Sequence, residues 1–293
     1  KAGFKIRHFG DILVAKLHDE YSAIVDKVQI KIYTSKADVE RLIPEAKKAF
    51  ESRDKRIAGM TDESVDTFYS CTLCQSFAPD HVCVVSPERL GLCGAYSWLD
   101  AKAAHEITPT GGNQPIKKAA TLDALKGIWQ GVNEFVTDKS HQHITNMAVY
   151  SLMDSPMTSC GCFECIVAVV PEANGVMVVN REYAGETPIG MKFTTLASMV
   201  GGGAQTPGFL GVGRLYIVSR KFILAEGGLK RVVWMPKELK EALSDKIRNR
   251  SKEIDEPDFY DKIADETIAI DTAGLLAYLE KVNHPAPGMP ALI

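Results

Sequence analysis

Ser159-Cys160-Gly161-Cys162-Phe163-Glu164-Cys165-Ile166-Val167-Ala168-Val169-Val170-Pro171-Glu172-Ala173-Asn174-Gly175-Val176-Met177-Val178-Val179 holds the plan of the fold and its chemistry in one stretch. Ile166–Val170 and Val176–Val179 are apolar runs of strand length, and Pro171 to Gly175 between them is a strong turn signal. Two buried strands joined by a turn are therefore predicted. Ala148–Leu152 reads as another buried strand, which places Cys160-Gly161-Cys162 in a connection between strands. Those three residues can wrap four donor atoms around one metal in a plane: two thiolates and the deprotonated backbone nitrogens of Gly161 and Cys162. The fused chelate rings are one six-membered and two five-membered, and Gly161 has no side chain to obstruct the flat backbone. A planar N2S2 set suits Ni(II) or Cu(II) better than tetrahedral Zn(II), with nickel the leading choice. Two buried thiols on one strand face are the bland alternative.

Working outward, Cys71-Thr72-Leu73-Cys74, Cys83 and Cys93 offer four thiolates within 23 positions. Four thiolates hold a zinc ion or an iron-sulfur cluster. Structural zinc sites usually pair two Cys-x-x-Cys knuckles, and only one is present. The wider gaps suit a bulkier cubane. Metal-bound thiolates keep lone pairs, so Cys160 and Cys162 can bridge to a second metal, with a cluster sulfur completing its protein donors and one position left open.

Composition narrows the remaining classes. With 293 residues, 45% of them apolar, the chain can bury roughly three quarters of its unfolded surface, as one large domain or two unequal ones. A formal net charge of -3 provides no basic field for nucleic acid or anionic lipid. No apolar run approaches the roughly 20 residues of a membrane helix, so neither a nucleic acid nor a membrane is expected as partner. Seven cysteines, crowded into two stretches with no signal peptide, argue for metal thiolates in a reducing compartment, the cytoplasm, over a disulfide framework. The chain starts at Lys1, not Met, and is expected to be a piece of something longer.

Further elements are predicted along the chain. Ile12, Leu13, Ala15 and Leu17 suggest a short helix, and Val28, Ile30 and Ile32 a strand. Ser35 with Asp38 forms a capping-box pattern for a helix through Val39, Leu42, Ile43, Ala46 and Phe50, with Glu51–Arg56 as its solvated end. Phe68–Gly94 reads as loops with a short strand near His81–Val85. Helices are predicted over Ala95–Ile107, Leu122–Val136, Pro236–Lys246, Phe259–Ala269 and Leu275–Val282, and a strand near Leu215–Val218. The class is mixed α/β (α+β): a mixed sheet with surrounding helices, and a metal centre on loops between elements.

Cys71-Thr72-Leu73-Cys74-Gln75-Ser76-Phe77-Ala78-Pro79, Cys83, Gly91-Leu92-Cys93-Gly94 and Pro156-Met157-Thr158-Ser159-Cys160-Gly161-Cys162-Phe163-Glu164-Cys165 together resemble the acetyl-CoA synthase subunit of the carbon monoxide dehydrogenase/acetyl-CoA synthase complex. The likeness continues through Gly201-Gly202-Gly203, Thr206-Pro207-Gly208 and Trp234-Met235-Pro236. It implies a 4Fe-4S cluster on Cys71, Cys74, Cys83 and Cys93. It also implies a proximal nickel on Cys74, Cys160 and Cys162, replaceable by copper or zinc, and a distal nickel in the plane formed with the amides of Gly161 and Cys162. Phe77 is implied beside the proximal nickel, limiting the space at its open position. The implied reaction joins a methyl group from a corrinoid iron-sulfur protein to carbon monoxide on nickel and releases the acetyl group on coenzyme A. The resemblance further implies that residues 1–43 end a preceding middle domain and 44–293 form the catalytic domain. Contacts to the carbon monoxide dehydrogenase subunit and the gas channel would lie upstream.

Other residues carry bland readings. Cys165 reads as a structural thiol, and His141 and His143 as a structural or exposed pair; His81 and His105 are treated with the same caution. Gly201–Gly213 lacks a phosphate-loop pattern and reads as a shaped loop near the cluster. Lys237–Arg250 reads as a solvated helix face, and Trp98, Trp129 and Trp234 as core. The rival function is a non-catalytic iron-sulfur domain that carries electrons or organises a complex, and a zinc-stabilised scaffold is a weaker third.

Overall fold

The computed structural model describes residue 3 and residues 5–22, 25–27 and 31–293. Among them the chain runs α1 (Ile6–Tyr21), α2 (Lys36–Ile57), β1 (Thr67–Cys71), β2 (Cys83–Val85), α3 (Trp98–Ile107), β3 (Pro115–Lys117), β4 (Thr121–Asp123), β5 (Ile128–Trp129) and α4 (Gln130–Lys139). It continues with β6 (Cys165–Val170), β7 (Gly175–Asn180), α5 (Phe193–Val200), β8 (Phe209–Val212), β9 (Val232–Trp234), α6 (Lys237–Ala242), α7 (Ser244–Glu253), α8 (Phe259–Lys262) and α9 (Thr272–Lys281).

Every residue of β6 and β7 is buried, which explains the absence of polar alternation: both faces of their sheet are covered. That sheet has the order β8-β6-β7-β9, with antiparallel pairs except β7 beside β9, so it is mixed. Helix α5 packs on β6 and β8, while α9 packs on β9 and the turn after β6. Each Val or Ile removed fully from water there stabilises the fold by about 1.5–3 kcal/mol. The turn follows the sequence: Pro171–Ala173 is a 3-10 turn and Asn174 is left-handed at φ 47°. Its amide donates to the Met289 carbonyl at 2.8 Å, tying down the C-terminal tail. A second, antiparallel sheet of order β2-β1-β3 carries the first cysteines. Mixed α/β architecture is thus observed.

Several expectations need correction. Ala148–Leu152 is buried but forms only a bridge from Ala148 to Pro156, because Val149 and Tyr150 donate their N–H groups to Gly127 and Lys126 carbonyls in a loop. Leu122–Val136 begins as the β4–β5 hairpin and becomes helical only at Gln130. Gly127 turns that hairpin at φ 68°, and a Cβ there would meet the Tyr150 ring at 2.5 Å. Leu215–Val218 lies in a 3-10 helix; the strand precedes it at β8. The helix foreseen over Phe259–Ala269 stops at Lys262, and Pro236–Lys246 is two helices meeting at Leu243. Val28 and Ile30 lie outside the described residues, and Ile32 is exposed and outside any strand.

Helix α2 starts as read, with the Ser35 hydroxyl accepting from Asp38 N, and it tolerates Pro44 internally. Its charged end is not wholly solvated. Arg53 is only 8% exposed and donates to the carbonyls of Gly94 and Ala95 at 2.6 and 3.1 Å. The mixed-charge face of α6 and α7 also sends one residue inward: Lys240 is buried, donating to the Ile263 carbonyl beside Asp265.

Candidate metal centre

Strand register builds the first half of the centre. β1 and β2 are antiparallel with Cys71 directly opposite Cys83, a position where side chains on one face are cross-strand neighbours. Just past β1, the 3-10 turn Leu73–Ser76 carries Cys74, whose carbonyl accepts from the N–H groups of Phe77 and Ala78 at 2.9 and 3.0 Å. Cys93 arrives on a tight turn closed by Gly94 N to Gly91 O, with Gly94 at φ 71°. A Cβ on Gly94 would sit 2.5 Å from the Glu164 carboxylate. Cys71, Cys74, Cys83, Cys93, Cys160 and His81 all line one small pocket.

The Cys160-Gly161-Cys162 loop forms the second half. The sulfur atoms of Cys74, Cys160 and Cys162 all lie within 4.8 Å of one another, a spacing that lets one ion bind all three. Gly161 adopts φ 104°, and no atom stands within 4 Å of the Cβ it lacks, so the reason for glycine is conformation and not space. Cys162 N donates to Cys160 Sγ at 3.3 Å. The Cys162 amide and the Cys160 thiol, two of the four donors a planar set needs, thus already face each other across the loop. The donor set fits an iron-sulfur group on the strand side and a planar ion on the loop side.

Hydrogen bonds stitch the halves together. Glu164 N donates to Leu92 O at 3.0 Å, Gly203 N to Ser159 O at 2.9 Å, and Val82 N to the Thr158 hydroxyl at 3.4 Å. The same hydroxyl lies 2.9 Å from His81 Nδ1. Gly201–Gly213 is accordingly a shaped wall: a Cβ on Gly203 would approach His81 N at 3.1 Å, and one on Gly211 would strike the Phe163 ring at 2.4 Å.

Electrostatics separate the thiols by role. The hydrogen bond from Cys74 holds the Cys160 thiol well below the usual range, to about 4, helped by His81 and the Cys162 amide. Cys74, the donor of that bond, is pushed up, and burial pushes Cys83 up. Cys160 is thus readier to ionise than Cys74 or Cys83, whose thiolates a bound cation would stabilise. Phe77 is 84% exposed beside Cys74, and Cys162 is exposed as well, so the three-sulfur side of the centre faces solvent.

Residues set aside by sequence fall mainly where expected. Cys165 is fully buried on β6, its thiol pushed up by desolvation. His141 and His143 are exposed and share the Asp80 carboxylate at 3.3 and 2.7 Å. His105 contacts the Asn113 carbonyl, and all three tryptophans are buried. Missed were His81 as a wall of the cavity and Arg53 and Arg181 as clamps on its loops. A signal for Arg181 exists: it directly follows the apolar strand that pairs with Cys165.

Comparison with known proteins agrees with this arrangement. Residues 1–39 match the family described as CO dehydrogenase/acetyl-CoA synthase complex beta subunit. The carbon monoxide dehydrogenase/acetyl-CoA synthase subunit alpha of Moorella thermoacetica is 55% identical over 293 residues, covering 99% of this chain and 40% of that protein. An acetyl-CoA decarbonylase/synthase complex subunit beta of Methanopyrus kandleri is 44% identical over 283 residues, covering 97% of this chain and 59% of that one. The chain thus spans between two fifths and three fifths of the length of these two relatives. A solved C-terminal domain of an acetyl-coenzyme A synthase alpha subunit aligns at 54% identity and TM-score 0.44, over 46% of this chain and all of that one; a superposition at that score adds nothing to the sequence match. Residues 50–293, which contain both cysteine groups and every loop that joins them, match the family described as the C-terminal part of the ACS/CODH beta subunit, and it is to this family that the chain belongs.

Proposed function

We propose that the chain is the metal-centre portion of an acetyl-CoA synthase, joining a methyl group, carbon monoxide and coenzyme A into acetyl-CoA. The observation that carries this reading is the convergence of Cys74, Cys160 and Cys162 on one point, beside a cavity walled by Cys71, Cys83 and Cys93. Cys71, Cys74, Cys83 and Cys93 would hold a 4Fe-4S cluster. Cys74, Cys160 and Cys162 would hold a proximal nickel, and the two thiolates with the Gly161 and Cys162 amides a distal one. When bound, this group supplies a soft, electron-rich metal with an open position on which the two carbon fragments join.

The protein's own part is placement. Opposed strands fix Cys71 and Cys83, the 3-10 turn sets Cys74 between the halves, and Gly161 bends the loop so that both its thiols face Cys74. Exposure of Phe77 and Cys162 leaves the reacting side open to a large protein donor, a corrinoid iron-sulfur protein in this reading. Phe77 would crowd the open position and restrict what enters. A carbon monoxide dehydrogenase subunit is the proposed standing partner, and the cytoplasm the proposed location. Among the described residues no helix is long and apolar enough to cross a membrane. Separate family matches to residues 1–39 and 50–293 support reading 1–43 as the end of a preceding domain and 44–293 as the metal-centre domain, with the junction inside α2.

Metal analysis on anaerobically prepared protein tests the reading, with about two nickel per four iron expected. Assay of acetyl-CoA formation from a methylated corrinoid protein, carbon monoxide and coenzyme A follows. Iron without nickel would favour an electron carrier instead, and zinc alone a scaffold. Copper or zinc at the three-sulfur site should give an inactive fraction; full nickel loading with no synthesis would sink the catalytic claim.

A further inference from the structure

Among the described residues, Arg181 is the cation that grips the planar loop. It follows β7, whose last residue, Asn180, pairs with Cys165, so register carries it alongside Phe163 and Gly161. Arg181 Nη2 donates to the Gly161 carbonyl at 2.6 Å and to the Phe163 carbonyl at 2.9 Å, and Nε reaches the latter at 3.2 Å. The guanidinium carbon lies 5.8 Å from the Phe163 ring centre and 5.7 Å from that of Phe193, both buried aromatics. Among the described residues no carboxylate is paired with Arg181, so its charge is not spent on another side chain.

The carbonyl it holds belongs to the peptide bond whose nitrogen is that of Cys162. Nitrogen and oxygen of one peptide share a π system, so charge placed on the nitrogen by a metal is also carried on the oxygen. A divalent ion entering the pocket displaces two thiol and two amide protons to solvent. The resulting centre carries a net charge of -2, with no change of oxidation state. A guanidinium hydrogen bond to that oxygen then becomes charge-assisted and strengthens on metal binding.

We propose that Arg181 is a positioning residue for the planar pocket, orienting the Gly161–Cys162 peptide as a metal donor and neutralising part of the charge it acquires. The proposal rests on the planar-site reading above. A lysine cannot reproduce the role, because it lacks the planar fork that reaches two carbonyls at once.

The test uses the iron-loaded chain titrated anaerobically with nickel(II) chloride. It follows the absorption band of planar nickel(II), nickel retention against a competing chelator, iron content and the thermal midpoint. Arg181→Met keeps the aliphatic stem; it should keep its iron and midpoint, shift the nickel band and release nickel roughly 10- to 100-fold more readily. Arg181→Lys should restore part of the retention without restoring the band. Unchanged retention and band in Arg181→Met overturn the proposal, as does loss of iron together with nickel, which would make the side chain merely structural. Absence of a planar nickel band in the unaltered chain would instead remove the reading on which the proposal stands.

Discussion

Cys71 and Cys83 face each other across a buried strand pair, whereas Cys160 and Cys162 stand two residues apart on a partly exposed loop bent by a single glycine. Backbone ladder bonds hold the first pair, so its geometry is as stable as the sheet. The second pair depends on a few local contacts: the φ of Gly161, the Arg181 fork, and the Gly203 bond to Ser159. On the proposed reading, one chain would hold its metals in two ways, a rigid seat on the strands and an adjustable one on the loop. Metals on the loop side should exchange more readily than those on the strand side, since local opening is cheapest where few buried contacts are lost.

The largest expected effect breaks one half at a time. Structural metal binding of about 10–16 kcal/mol spread over four ligands is roughly 3 kcal/mol per ligand, or more than 100-fold in affinity. Cys162→Ala should lose nickel by at least that factor and keep its iron, while Cys83→Ala should lose both. Metal analysis after gel filtration checks this; equal loss of iron in the two variants would erase the distinction between the halves.

Acid offers a slightly smaller effect that sets the stability of the shared scaffold. His284 is buried against β9, with Nε2 donating to the Val232 carbonyl and Nδ1 accepting from Ala286 N. Burial lowers its pKa from 6.5 to about 4. The unfolded chain therefore binds the proton first, and stability present above about 6.5 is lost as pH falls toward 4, by up to about 3 kcal/mol. Denaturant unfolding of the metal-free chain across that range measures it, and His284→Gln should flatten the profile. A profile as steep in His284→Gln as in the unaltered chain would place the acid sensitivity elsewhere.

Gly161→Ala comes next. A non-glycine residue at φ 104° is strained by about 1–3 kcal/mol although space is open around it. Nickel retention should fall about 5- to 100-fold, with folding stability lowered by no more than that strain; a variant that retains nickel fully would show that the loop adapts without its glycine. The smallest effect belongs to Phe77→Ala. At 84% exposure the ring contributes within about 0.5 kcal/mol to stability, so unfolding should not move, while synthesis should drop up to about tenfold if the ring positions reactants.

Sequence revealed chemistry more readily than architecture. The β6–β7 pair was legible because an apolar run, Pro171 and Asn174-Gly175 all point to one hairpin. Both cysteine groups were legible because so many thiols in short reach have few bland uses. Ala148–Leu152 misled because its apolar side chains are buried by a loop, and burial alone does not distinguish loop from strand. Leu122–Val136 misled because the Gly127 turn serves contact with Tyr150, a tertiary reason invisible in the local pattern. Arg53 hid within a charged run whose ordinary fate is solvation, and only the fold shows it reaching Gly94 and Ala95.

That reach of Arg53 has a mechanical consequence. A helix of 22 residues is about 33 Å long, and α2 is anchored at the buried Ile57, four positions beyond Arg53. Treated as a stiff rod turning on that anchor, it is a lever with a short arm of about 6 Å at Arg53 and a long arm of about 32 Å at Lys36. On such a rod, travel at the far end would arrive beside Cys93 reduced about fivefold, a swing of several ångströms upstream becoming a nudge of about one ångström on the wall of the pocket.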